Sequence, residues 1–164
     1  MIDGLMQQVE GIAGQLRRHG ENLAVAESST GGLISAALLA LPGASAYYTG
    51  GLVVYTQAAR ALLIDKDDPA MAGIRAATEE YALLLAARVR ERLSAAWAVA
   101  ETGAAGPSGN RYGDPAGHSC IAVVGRTQRA ITVRTNQTDR LTNMQTFAAS
   151  ALDLLGDVLR ESGA

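Results

Sequence analysis

The spacing of apolar positions changes along the chain in a way that separates helices from strands. Leu5, Val9, Ile12 and Leu16 step by four, three and four residues, lining one face of a helix, and Gly20 offers it a left-handed stop. "NLAVA" at 22–26 is a short run suited to a buried strand, and a helical stretch follows over 31–41 until Pro42-Gly43 breaks it. "GLVVYT" at 51–56 predicts a second strand, with a short helical run to Leu63. Beyond the charged loop "IDKDDPAMAG", Thr78 is placed to cap a long helix whose first turn carries Glu79 and Glu80. "WAVAET" at 97–102 predicts a third strand, and "HSCIAVVG" with "RAITVRTN" a β-hairpin. Leu141, Met144, Phe147, Ala148, Ala151, Leu155 and Leu159 line a last amphipathic helix.

Strands that alternate with helices and close on a hairpin predict an α/β fold: a three-layer α/β/α sandwich on a mixed, mostly parallel sheet of about five strands. Without repeats, linkers or low-complexity tracts, residues 1–164 read as a single domain. Composition adds that 48% of residues are hydrophobic but only 4% aromatic, so small side chains must do much of the packing. A net charge of −2 with mixed signs gives no footprint for nucleic acid. Neither a secretory leader nor an 18-residue apolar span is visible, so the expectation is a cytoplasmic protein without a membrane partner. The one cysteine, Cys120, falls in a strand and suits a small buried hydrophobe. His19 and His118 lie far apart and near no acid or cysteine cluster, which argues against a metal site.

In such sheets ligands bind beyond the carboxyl ends of the parallel strands. Three segments end there: "AESSTGG", "YTQAAR" and "ETGAAGPSG". The first opens a helix near Gly31-Gly32, where free amides and the helix dipole favour an anion, although Ser28, Ser29 or Thr30 could equally be plain N-caps. The second glycine-rich run, from Thr102-Gly103 through Gly106 to Gly109, is either a backbone cradle or a turn. It lacks the lysine of a nucleotide-binding loop. From 103 to 117 the chain holds five glycines and two prolines, a loop length that usually signals function or disorder. Tyr47, Tyr48 and Tyr55 are the aromatics near these segments, and ordinary packing accounts for them as well as a site does.

Taken in order, "AESSTGGLISAALLALPGASAYYTGGLVVYTQAAR", "ETGAAGPSG" and "DPAGHSCIAV" resemble the CinA C-terminal-domain family over roughly residues 22 to 125. That family includes nicotinamide-nucleotide amidohydrolases, which convert nicotinamide mononucleotide to nicotinic acid mononucleotide and ammonia. The resemblance implies an α/β/α sandwich, no metal or organic cofactor, a phosphorylated nucleotide as small-molecule partner, and a homo-oligomer. Carried over by position, Ser28 would be the nucleophile. Thr30 and the amides of Gly31 and Gly32 would hold an oxyanion or phosphate, and Glu27 would orient the loop or accept from a ribose hydroxyl. Ser29, Tyr55, Thr102, Gly103 and Gly106 would line the pocket.

One departure bears on the chemistry. Where the amidohydrolases carry lysine at the end of a Y-S-N-x-A-K segment, this chain reads Tyr55-Thr56-Gln57-Ala58-Ala59-Arg60. A buried lysine can shed its proton and serve a serine as general base, whereas arginine keeps its proton and cannot. Two functions follow. In the first, the chain is an amidohydrolase that draws its base from Tyr55, with a phenolate favoured by Arg60, or from Glu27. In the second, it is a binding module in which Arg60 grips a phosphate or carboxylate and hydrolysis is lost or weak.

Overall fold

The computed structural model describes residues 2–163. Among the described residues, five α-helices and five strands follow one another: α1 (Met6–His19), β1 (Leu23–Glu27), α2 (Leu33–Ala40), β2 (Tyr48–Val53), α3 (Gln57–Arg60), α4 (Glu79–Arg92), β3 (Trp97–Ala104), β4 (His118–Val124), β5 (Gln128–Arg134) and α5 (Arg140–Glu161). The helix stops are those the sequence offers. Gly20 closes α1 with φ of 63°, and the Thr78 hydroxyl accepts the Tyr81 amide to start α4.

The strands form one five-stranded sheet in the order β2-β1-β3-β4-β5. β1 pairs in parallel with both β2 and β3, while β4 is antiparallel to β3 and to β5. The sheet is therefore mixed, as expected, with only β4 reversed. β3 extends two residues beyond the predicted "WAVAET", because Gly103 and Ala104 pair with Ser119 and His118.

The two faces of the sheet carry different side chains, and strand alternation explains how. Leu23, Val25, Trp97, Val99, Ile121 and Val123 face the layer formed by α1, α2 and α5. Ala24, Ala26, Ala98, Ala100, Cys120 and Ala122 face α4, which meets them with Tyr81, Ala82, Leu85, Ala86 and Val89. The alanine-rich content thus has a place: it lets a single helix cover one face at close approach. The hydrophobic effect acts on both faces at about 25 cal/mol per Å² of apolar surface removed from water. Among the described residues, no helix is long and apolar enough to cross a membrane.

Register also sets up the site. Ala26 lies opposite Ala100 across the β1–β3 pairing, so the next residues along the two parallel strands, Glu27 and Glu101, come side by side at the carboxyl end of the sheet.

Candidate active site

Glu27 and Glu101 are both fully buried. An acid in that setting survives only if its oxygens are filled with donors. Glu27 receives the Thr30 hydroxyl (2.9 Å) and the amides of Gly32 (3.2 Å), Ile34 (2.9 Å) and Ser35 (3.0 Å), together with the Ser35 hydroxyl (2.7 Å). Glu101 receives the amides of Ser28 (3.2 Å) and Thr30 (2.9 Å), the hydroxyls of Thr30 (3.0 Å) and Ser119 (2.8 Å), and the Ser29 hydroxyl. The Thr30 hydroxyl sits within reach of both acids and has one proton, so it donates to one of them at a time.

These bonds correct three expectations from the sequence. The amino end of α2 holds no vacancy for an outside anion, because the chain's own Glu27 carboxylate fills it. The amides of Thr30 and Gly32 are spent on Glu101 and Glu27, and that of Gly31 on the Ser28 carbonyl (3.1 Å). Thr30 is itself fully buried, and Glu27 can neither touch a ribose nor serve Ser28 as a base. Ser29 is likewise turned to Glu101 and 3% exposed, although it borders the small lobe described next. The "AESSTGG" segment is thus a rigid shelf that presents Ser28 at its upper edge.

Above that shelf lies a cleft of about 780 Å³ lined by Ser28, Tyr55, Arg60, Thr102 and Gly103, with Tyr81, Arg111 and Tyr112 among the other walls. A smaller lobe of about 250 Å³ shares Tyr55, Gly103 and Asn110 with it and adds Gly106, Ser108 and Arg140. The ends of β1, β2 and β3 do converge, bringing Ser28, Tyr55, Arg60 and Thr102 around one cavity. The two glycines have steric reasons for their identity. A Cβ on Gly103 would come within 2.5 Å of the His118 carbonyl oxygen, and one on Gly106 within 2.5 Å of the Thr138 carbonyl oxygen.

Ser28 is half-buried, and its hydrogen bonds run through its backbone. Among the described residues no base is bonded to its hydroxyl. The Arg60 guanidinium lies 6.0 Å from the centroid of the Tyr81 ring. Burial pushes the Tyr81 phenol above its ordinary value, against the pull of Arg60, so Tyr81 keeps its proton near neutral pH and is no base. Thr102 accepts the Ala77 amide (3.1 Å), which leaves its own proton available to a ligand. Ala77 holds a left-handed φ of 60°, and its carbonyl accepts from His118 Nε2 at 2.9 Å. Cys120 is 2% exposed with a thiol pushed up by burial, in keeping with a packing role.

Arg140 and Glu101 lie outside the residues that the motifs assign to the site. Arg140 begins α5, donates to the Gly106 carbonyl (2.7 Å) and to the Tyr55 hydroxyl (3.2 Å), and so reaches the cleft from far down the chain. No motif surrounds it. Glu101 could have been found, because an acid inside the apolar run "WAVAE" has to meet donors. Arg111 and Tyr112 sit on a loop tied by Asn110 to Asp114 and anchored by the Arg75–Asp114 pair (2.7 Å). The Arg75 guanidinium lies 5.1 Å from the Tyr112 ring centroid.

The comparisons agree with this architecture. The family model for the CinA C-terminal domain matches residues 6–159. A CinA-like protein of Gloeobacter violaceus is 41% identical over 146 residues, covering 87% of this chain and 34% of its own length. Another from Acidobacterium capsulatum is 37% identical over 140 residues, covering 85% of this chain and 34% of its own length. The chain therefore spans about a third of the length of these relatives. Among solved structures, a CinA superfamily protein of Klebsiella pneumoniae 700603 superposes with a TM-score of 0.87 at 26% identity, covering 96% of this chain and 98% of the other. The competence/damage inducible protein CihA of Agrobacterium tumefaciens gives 0.86 at 28% identity, covering 95% of each. A strand-end cleft on a mixed α/β/α sandwich, carrying these linked motifs in order, belongs to the CinA C-terminal-domain family.

Proposed function

We propose that the cleft binds a phosphorylated pyridine mononucleotide and that hydrolysis of its carboxamide at Ser28 is slow or lost. The observation that carries this reading is the charge of the lining: Arg60, Arg111 and Arg140 border the two lobes, and among the described residues no Asp or Glu does. In a chain with a net charge of −2 that arrangement favours an anionic ligand. The small lobe, with Arg140, Ser108 and the Gly103–Gly109 backbone, suits a phosphate. The larger lobe, with Tyr55, Tyr81 and Tyr112, suits a ring beside Ser28.

Hydrolysis requires a group to take the proton of the Ser28 hydroxyl as it attacks the carboxamide carbon, and donors for the oxyanion that forms. Thr102 offers one such donor. The proton acceptor is what the site lacks, because Arg60 stands where the amidohydrolases of this family carry lysine and stays protonated. Loss of a general base typically costs about 10²–10⁴-fold in rate. Incubation with nicotinamide mononucleotide and assay of ammonia tests this, with Ser28→Ala as the blank. The expected result is weak or undetectable native turnover that Arg60→Lys raises. Brisk native turnover that vanishes in Ser28→Ala yet ignores Arg60→Lys would place the base elsewhere, Tyr55 being the first residue to substitute.

A further inference from the structure

Resting on the mononucleotide reading above, we infer that the cleft selects the acid form of its ligand: a mononucleotide whose base carries a carboxylate, in preference to the carboxamide. The two lobes are adjacent, sharing Tyr55, Gly103 and Asn110 as walls, but chemically distinct: Arg140 borders the smaller, Arg60 and Arg111 the larger. Arg140 is fixed in the small lobe by the Gly106 carbonyl and the Tyr55 hydroxyl. A guanidinium has five N–H donors, so enough remain for a phosphate. That leaves Arg60 and Arg111 in the larger lobe with no acid among the lining residues to pair with.

Of these two, Arg60 is the better placed to read the base substituent. It is half-buried over Tyr81, which is 3% exposed on α4, and it shares the lobe with Ser28. Arg111 is exposed at the tip of its loop. In a lobe without an acidic lining residue, a ligand carboxylate can take two parallel charge-assisted bonds from the guanidinium fork. A carboxamide offers one acceptor oxygen, and its NH₂ group then faces the N–H donors of the fork. A lysine at the same position could give up its proton and tolerate the amide, whereas arginine stays a cation. The substitution that removes a base for hydrolysis therefore turns the same position toward the chemical form that hydrolysis would produce.

Isothermal titration of the native chain with nicotinic acid mononucleotide and with nicotinamide mononucleotide tests the inference, repeated in Ser28→Ala so that slow conversion of the amide cannot mislead. The acid form is expected to bind at least about tenfold more tightly, the difference between a charge-paired and a neutral hydrogen-bonded contact. Arg60→Gln should bring the ratio close to one, and Arg60→Lys should keep part of it. Arg111→Ala should weaken both ligands while leaving the ratio in place. Equal affinities, a preference for the amide, or a preference lost in Arg111→Ala but kept in Arg60→Gln would overturn the selectivity and leave the mononucleotide cleft standing. Binding of neither nucleotide would overturn the mononucleotide reading itself and the selectivity with it.

Discussion

Two layers of charge meet at the carboxyl end of this sheet, and they have opposite fates. The lower layer is the buried pair Glu27 and Glu101, each surrounded by amides and hydroxyls of the 28–35 segment and by Ser119. The upper layer is the set Arg60, Arg111 and Arg140, open to the cleft. The acids are inside the densest part of the motif and yet are used up in holding it. The arginines come from a short helix, a loop and the start of a distant helix, and they face whatever enters. Within the 27–32 motif, the residues that make it recognisable are mostly spent on holding it together, and Ser28 alone of them lines the larger lobe.

Removing a buried acid should produce the largest effect. Glu27→Ala or Glu101→Ala strands several donors, each costing about 1–3 kcal/mol when left unsatisfied. With partial relaxation the expected loss is on the order of 3–5 kcal/mol, which lowers Tm by roughly 10 °C in a chain of this size. Thermal and urea unfolding measure it. Unchanged stability together with lost ligand binding would reverse the comparison, making the acids ligand-facing after all.

The upper layer should behave in the opposite sense. Arg140→Ala is expected to weaken mononucleotide binding by about 10- to 100-fold, the value of a charge-assisted bond to phosphate. Its Tm should stay within about 2 °C of the native value, since a single exposed arginine contributes little to folding. Titration calorimetry and a melting curve on the same sample separate the two effects. A large fall in Tm with affinity retained would move Arg140 into the structural layer.

A smaller and pH-dependent effect sharpens the role of the loop that carries Arg111 and Tyr112. The Arg75 hydrogen bond holds the Asp114 carboxyl below the ordinary aspartate range, with Asn110 and His118 assisting. A group depressed in the folded state stabilises above its unfolded value, about pH 4, and loses that contribution as pH falls through the folded value. Asp114→Asn should therefore cost at most about 1 kcal/mol at neutral pH, and the difference from the native chain should shrink below about pH 4. A cost that is the same at pH 3 and pH 7 would show that the loop does not depend on this ion pair.

Much of the fold is legible from spacing alone. The periodicity from Leu5 to Leu16, the cap at Thr78 and the hairpin after His118 are local features, and each element lies within a few residues of its expected bounds. The alternation that sends Val25 and Val99 to one face and Ala24 and Ala98 to the other is also written into the strands. Ser28, Tyr55, Arg60 and Thr102 could be placed at strand ends for the same reason. The anion site expected at Gly31 and Gly32 failed because its occupant is Glu27, and the backbone turn that folds this side chain back over its own helix is not visible in composition or period.

By itself the sequence determined the secondary elements, the mixed sheet and the family, since these depend on short-range periodicity and on linked motifs. It also decided that position 60 is a permanent cation, which is a matter of covalent chemistry. Only the tertiary structure decided which charges are spent and which are free. Register brings Glu101 beside Glu27 so that the Ser28–Thr30 backbone must serve them, and the packing of α5 carries Arg140 to Tyr55 across 85 residues of chain. Such pairings depend on where whole strands and helices come to rest, and burial, which sets the cost of leaving a charge or a donor unmatched, has no value until they do.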